Sequence, residues 1–356
     1  MNCRGSVLIV ALWATIFFGM MSIALSVRAR SQAHLLMRLA QDRIGRQAAF
    51  GGISFARAAF AQKAEEEEAD SNDEPAIMVT DSTGDETAWD WSSLDQNHPE
   101  LFRNFAPDDS ETYLSIGYWS EGSGEDGPRW IYGMENEERR ININAVDEEV
   151  LKALYLNAGR LLEDQAVELA EATIAWRERE DTPDGMDLEA PSGGWGFGSV
   201  EELLRVPGMT TEIYDVIKED LTVYGSGKTN LNAVRAATLG RLGISVSIAS
   251  GVESYRESFF ESEGSEDEAA GPFGSLSDLA EKAGLTEEDA AVFEGLKQFW
   301  GFEPETFRFF SIASGRRGQN AGFECVMDRA GRVLFLREAT IGSIGNTGDS
   351  GAVSAG

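Results

Sequence analysis

From Ser6 to Val27 the chain carries no charged side chain, a run of 22 residues reading SVLIVALWATIFFGMMSIALSV. As a helix at about 1.5 Å per residue this run spans roughly 33 Å, enough to cross a hydrocarbon core about 30 Å thick. Arg4 precedes it, and Arg28 and Arg30 follow it. Everything beyond is polar enough to live in water. The expected plan is a soluble body on a single membrane handle.

Three readings fit this start. A secretory signal peptide has an apolar stretch of about 7–15 residues and a small-x-small cleavage site. Ala24-Leu25-Ser26 supplies such a site, but the run is longer than that type requires. A plain signal anchor is the second reading. The third is a short basic leader of the type IV pilin kind, cut between Gly5 and Ser6, which leaves the apolar helix as the mature N-terminus. The run alone leaves all three open.

Charge narrows the partners. The chain of 356 residues has 61 acids against 30 bases, a net charge of −31 at pH 7. Such an excess repels nucleic-acid phosphate unless a basic patch is concentrated somewhere. The adjacent pairs Arg139-Arg140 and Arg316-Arg317 are the densest found. Two histidines, His34 beside the membrane and His98 in an acidic stretch before Pro99, leave no material for a His-based zinc site or a Ser-His-Asp triad. Cys3 falls in the leader and Cys325 is left without an intramolecular partner, so there is no disulfide framework. With no nucleophile–base pair, metal-ligand spacing or phosphate loop, no enzyme is expected.

The helix should continue past the membrane. Leu35, Leu36, Leu39, Ile44, Phe55, Ala59 and Phe60 recur at intervals near three and four, with Arg38, Arg43, Arg46 and Arg57 between them. Residues 6–27 then form the transmembrane part and 28–63 an amphipathic continuation, with Gly45 and Gly51-Gly52 as points of weakness or bending. The acidic run Lys63 to Glu74 ends it. Ala76–Thr80, Tyr113–Trp119 and Trp130–Met134 are apolar, β-branched and aromatic, so 64–139 is expected to supply strands of an antiparallel sheet packed on the helix. Trp89, Trp91, Trp119 and Trp130 are expected as sheet-face or core residues.

From Arg140 the pattern turns helical and repeats. Asn142-Ile-Asn144-Ala returns as Asn230-Leu-Asn232-Ala, and Phe197-Gly-Ser199-Val, followed by Gly208-Met-Thr, returns as Phe273-Gly-Ser275-Leu, followed by Gly284-Leu-Thr. The order is the same both times, which predicts two related units, 140–225 and 226–305. Asn144 and Asn232 are placed to cap the helices after them. Ser199 with Glu202, and Ser275 with Asp278, resemble capping boxes. Pro207-Gly208 and Ala283-Gly284 form hairpins into the next helix. A helix-hairpin-helix that holds a phosphate on hairpin N–H groups is the functional alternative, which would make the chain a membrane-anchored nucleic-acid receptor of a DNA-uptake or pilus system. Acids dominate around both hairpins, so packing is the preferred reading. The acids of Glu178–Glu189 either wrap a hard cation or form a polar loop; their spacing does not match an EF-hand. Glu261–Glu268 reads as a solvated loop.

At Phe307 strands return. Asp328-Arg-Ala-Gly331 turns between two alternating apolar segments, so 306–341 holds a hairpin, and 342–356 is a Gly/Ser-rich tail expected to be disordered. The fold class is α+β: a long N-terminal helix packed on an antiparallel sheet, with a large all-α domain (140–305) inserted between early and late strands.

With MNCRG-SVLIVALW, Ile141-Asn-Ile-Asn-Ala145, Phe197-Gly-Ser-Val-Glu-Glu-Leu-Leu-Arg-Val-Pro-Gly208, Leu221-Thr-Val-Tyr224 and Gly227-Lys-Thr-Asn-Leu-Asn232 in view, the sequence resembles the minor pseudopilin K family of bacterial type II secretion systems. The resemblance implies a pilin-like fold with an inserted helical domain. It implies a 1–5 leader cut by a prepilin peptidase between Gly5 and Ser6, a single-pass inner-membrane helix and a periplasmic body. The partners it implies are other minor pseudopilins in a tip complex that helps initiate assembly; no nucleic acid is expected, on the charge balance above. It also implies a calcium site in the inserted domain, for which Glu180, Asp181, Asp184 and Asp187 are the candidates. Pilins usually carry Glu at mature position five; Val10 stands there, and lacking that acid is a further likeness to this family. An apolar residue avoids an unpaired carboxylate in lipid. Ser6 departs from the bulky apolar residue common at the first mature position.

Overall fold

The computed structural model describes residues 4–69, 77–80, 86–89, 102–103, 112–120, 129–179, 195–261, 272–315 and 320–339. Helix α1 runs unbroken from Arg4–Ala69, 66 residues, or about 100 Å at 1.5 Å per residue. It passes the expected stop at Lys63, because Lys, Ala and Glu are good helix formers and extend a helix already nucleated. Its buried stripe is Gly45, Ala49, Gly52, Ile53, Ala56 and Phe60, spaced as one helical face. Leu35, Leu36, Leu39 and Ile44, expected on the packing face, are instead 50–66% exposed. The helix has left the sheet by Gly45, and N-terminal to that point its side chains pack on nothing else among the described residues.

The helix runs through Gly51 and Gly52 without a break, and the second brings it close to the sheet. A Cβ on Gly52 would collide with Ser311 Oγ, and that hydroxyl donates to the Ala49 carbonyl at 2.6 Å. Farther down, Phe60 packs on Phe307 with ring centroids 5.1 Å apart, and Arg57 donates to the Gly331 carbonyl at 2.9 Å.

Strands β1 (Ile77–Thr80) and β2 (Glu86–Trp89) pair with each other. The first was expected in the main sheet; it closes a local hairpin instead. That sheet comprises β3 (Thr112–Ser120), β4 (Arg129–Tyr132), β5 (Glu135–Asn136) and three late strands. In β3, Leu114 and Ile116 face the helix, whereas Trp119 packs edge-on against Trp130 of β4 at 5.2 Å.

The helical domain follows β5 and a 3-10 turn at Glu137–Arg139. Its first unit holds β6 (Ile141–Asn142), α2 (Glu148–Asn157), α3 (Glu163–Arg177), a 3-10 segment at Val200–Arg205, α4 (Thr211–Ile217) and β7 (Leu221–Thr222). The second holds β8 (Thr229–Asn230), α5 (Ala236–Arg241), α6 (Val246–Glu261), α7 (Leu276–Lys282), α8 (Glu287–Gly295) and β9 (Trp300–Gly301). Each unit is closed by a two-residue parallel pairing of its first and last strands, β6 with β7 and β8 with β9. One core runs through both, from Leu151, Leu154 and Tyr155 to Leu239, Phe273 and Phe293. Burial pushes the Tyr155 hydroxyl up to about 12, against the opposing hydrogen bond to Thr173.

The chain then returns to the sheet as β10 (Thr306–Gly315), β11 (Asn320–Asp328) and β12 (Val333–Ala339), in the order β12-β11-β10-β3-β4. β10 is shared lengthwise: Phe310–Gly315 pair with β3, and Phe307 and Arg308 pair with β5. Asp328 closes the β11–β12 turn by accepting from the Arg332 amide at 2.8 Å. The fold is therefore the expected α+β layout, a long N-terminal helix on an antiparallel sheet with an extra helical domain between strands of that sheet. The 342–356 tail, His98, Trp91 and the Glu261–Glu268 loop beyond Glu261 lie outside the described residues.

Candidate functional site

Two features are built for work: the handle, and the junction where the helical domain joins the sheet. Gly5, Ser6 and Val10 lie in the opening turns of α1. From Leu12 to Ile44 the apolar side chains stand exposed, Trp13 at 69% and Ile23 at 67%. The helix is long and apolar enough to cross a membrane. A face this apolar is stable only in lipid or against other helices.

The junction lies at Glu135–Arg140, the segment leading into the helical domain, and Glu305–Arg308, the segment leading out. Glu137 is fully buried. Arg308 grips it in bidentate fashion, Nε to Oε2 at 2.7 Å and Nη2 to Oε1 at 2.6 Å. Arg140 adds a bond to Oε2 at 2.8 Å, and the Thr222 hydroxyl donates to Oε1 at 2.5 Å. Burial alone would raise the Glu137 carboxyl, but the Arg140 charge, the Arg308 hydrogen bonds and charge and the Thr222 bond outweigh it and hold it at about 2. Burial works to lower Arg308 as well; Glu137, Glu324 and Glu135 reverse it and raise it. Arg308 also donates to Glu324 at 2.5 Å, whose other oxygen takes Arg337 at 2.6 Å. Glu135 pairs with Arg139 at 2.7 Å and Arg140 at 2.8 Å.

Glu138 performs a second closure. Its Oε2 accepts from the amides of Glu305 (2.8 Å) and Thr306 (3.2 Å), and its Oε1 from the amide of Ser226 (3.3 Å). One carboxylate thus ties both ends of the insertion and the linker between its two units. Burial raises this carboxyl against the three amides that lower it. The Arg139-Arg140 pair, readable as a basic patch, is part of this buried network. Sequence reading missed Glu137, Glu138, Thr222 and Arg308. The signal available was a run of six charged or amide residues, 135–140, held between Met134 and Ile141.

The repeat motifs are structural ties, and their geometry corrects the expected capping. Asn142 Oδ1 accepts from the Asn144 amide at 2.9 Å. Asn144 does not cap α2; its Oδ1 accepts from the Phe197 amide at 2.6 Å, and its Nδ2 donates to the carbonyls of Phe197 (3.0 Å) and Val223 (3.3 Å). The second unit repeats this: Asn230 accepts from the Asn232 amide at 2.8 Å, and Asn232 binds the Phe273 amide (2.7 Å) and the carbonyls of Phe273 (2.9 Å) and Phe302 (2.7 Å). Arg177 and Arg256 match too, donating to Val146 and Val234 carbonyls at 2.8 and 2.6 Å. An Asn side chain offers one acceptor and two donors, so it can bridge irregular backbone where no ladder exists.

Ser199 makes no cap bond on its 3-10 segment, and Glu202 faces Arg179 at 3.6 Å. Ser275 does cap α7, accepting from the Asp278 amide at 3.1 Å; Asp278 in turn accepts from Gly274 at 2.8 Å, one residue before the box position. Thr286 and Asp289 form the full capping box, on α8. Gly208, after Pro207, and Gly284 turn with φ of +88° and +64°, the left-handed region that glycine tolerates. Glu180, Asp181, Asp184 and Asp187 lie outside the described residues, and among the described residues no cluster of metal-ligating side chains occurs.

A cleft of about 490 Å³ opens between the sheet and the first helical unit, lined by Arg140, Lys218, Tyr224, Arg308, Glu324 and Arg337 among others. Its cations are already engaged: Arg140, Arg308 and Arg337 by the glutamates above, and Lys218 by Asp215 at 2.8 Å. It is a seam held by ion pairs.

No protein-family model and no curated protein matches the chain. Among solved structures, it is similar to a chain of the GspK–GspI–GspJ complex from the enterotoxigenic Escherichia coli type 2 secretion system. The identity is 12% and the TM-score 0.45, with 83% of this chain and 98% of that chain covered.

Proposed function

We propose that this chain is a minor pseudopilin of the K type, a non-catalytic, membrane-anchored subunit at the tip of a type II secretion pseudopilus. The observation that carries this reading is the shape of the handle: one unbroken helix, apolar and exposed from Leu12 to Val27, bare to Ile44, and docked on an antiparallel sheet from Gly45 to Phe60. In this reading a prepilin peptidase removes residues 1–5 and the helix waits in the inner membrane with the body in the periplasm. The helix then leaves lipid to pack with helices of other minor pseudopilins as assembly begins. Val10 leaves the apolar run without a buried acid, so the helix needs no opposite charge from a subunit above it. The helical domain, clasped rigidly to the sheet, supplies bulk that stops growth beyond it. Calcium held by Glu180, Asp181, Asp184 and Asp187 belongs to this proposal as well.

Mass spectrometry of the mature N-terminus, with and without Gly5→Ala, tests it. The expected chain begins at Ser6, and the substitution blocks processing. A chain beginning near Val27 would mean an exported protein without its handle, and the tip-subunit mechanism would fall.

A further inference from the structure

The handle carries a charge pattern opposite to that of the body. Residues 1–46 hold six arginines and one aspartate, a net +5, which leaves −36 for residues 47–356 of the total of −31. From Gly5 to Gln41 there is no acid at all. Arg28, Arg30, Arg38 and Arg43 stand on exposed helix with no ion pair among the described residues. The next arginine, Arg46, is paired with Asp42 and Glu338, both at 3.2 Å, and marks where the body begins.

At 100° per residue, Arg28 and Arg30 lie about 200° apart around the helix. They form a collar, not a stripe. One partner helix would meet only one side of such an arrangement, whereas a plane of phosphates surrounds it. Both follow Val27, where the apolar run ends, at the height of lipid head groups when that run fills the hydrocarbon. We infer that Arg28 and Arg30 bind the phosphates of anionic lipids, and that the bare helix above them is a spacer. It holds a strongly acidic body clear of the anionic surface the collar selects. The rise from Val27 to Gly45 is about 27 Å, some three Debye lengths at physiological ionic strength, so the body's charge is screened from the bilayer. This inference rests on the membrane-anchor reading above.

The test uses the full-length protein in vesicles. Flotation with neutral phosphatidylcholine vesicles checks the anchor first: wild type and Arg28→Gln/Arg30→Gln are both expected to float, and failure of both would overturn the anchor reading itself. Spin-labelled phosphatidylglycerol and phosphatidylcholine then report which lipid is held at the protein. Wild type is expected to prefer phosphatidylglycerol, with the preference falling about fivefold for each arginine removed. Replacing chloride by phosphate at equal ionic strength should leave the preference intact. Arg38→Gln/Arg43→Gln, about 16 and 24 Å above Val27 and beyond the screening length, should not change it. Equal association of the two lipids with wild type, loss of the preference in phosphate, or an equal loss in the distal pair would overturn the inference.

Discussion

Replacing Glu137 by Gln should remove the charge around which the junction is built while keeping its shape. A carboxyl held at about 2 instead of the ordinary 4.5 corresponds to about 3 kcal/mol of preference for the charged form, at 1.36 kcal/mol per unit. Breaking a buried ion pair by deleting one partner costs about 3–5 kcal/mol, and the two scales agree. The amide of Gln would also set N–H donors against Arg308 and Arg140, which can only donate. Because the native value is depressed, this stabilisation is complete above pH 4.5 and is lost as pH falls toward 2. Glu138 acts in the opposite sense: its raised value lets the folded state take up that proton first, so acidification toward 4.5 slightly favours the fold. Denaturant titrations of the full-length protein in detergent, followed by tryptophan fluorescence, have reporters on both sides of the junction, Trp119 and Trp130 in the sheet and Trp176 and Trp300 in the helical domain. Glu137→Gln should lower stability by about 3 kcal/mol at pH 7, and the gap to wild type should close by pH 2. Equal stabilities at pH 7, or a gap that persists unchanged into acid, would refute the electrostatic account of the clasp.

Two neighbouring glycines on α1 should respond with opposite signs. Gly51→Ala meets nothing closer than Leu114 Cδ1 at 3.8 Å, so the helix gains about 1 kcal/mol of propensity. Gly52→Ala collides with Ser311 and should lose about 1–3 kcal/mol, part of it recovered with Ser311→Ala; thermal melts of Gly51→Ala, Gly52→Ala and the double variant Gly52→Ala/Ser311→Ala decide this. Asn144→Ala and Asn232→Ala should each cost about 2–4 kcal/mol by orphaning backbone groups, and in similar measure because the ties are equivalent. Asn144→Asp should rescue nothing, since carboxylate oxygens would face the Phe197 and Val223 carbonyls; melting temperatures that separate the two repeats widely would contradict the equivalence.

What could be read from the sequence were features whose cause is local. An uncharged run of 22 residues, an alternating pattern around Asp328–Gly331 and two copies of one motif each announce themselves within a few dozen residues. Composition changes at both ends of the expected 140–305 block. The partners of the motif asparagines were not: Asn144 looks like a cap from its position four residues before α2, yet it bonds Phe197, 53 residues on. The same holds for Gly52, which reads as a weak point in a helix until Ser311 is known to lie across from it. Glu137 is the strongest case. A charged run reads as solvated surface, and only the return of the chain as β10, with Arg308 set 171 residues later, turns that run into a buried anchor. The two segments meet because β5 and β10 pair, at Arg308 and Glu135 in register. That pairing is also the base of the helical domain, so the residues that attach the insertion are themselves part of the sheet, paired to β10 beyond the stretch that β3 covers. A helical domain grafted at this point cannot swing freely without unpairing β5. The clasp therefore ties the insertion to the sheet on which the long helix packs, through Glu137, Glu138 and the pairing of β5 with β10.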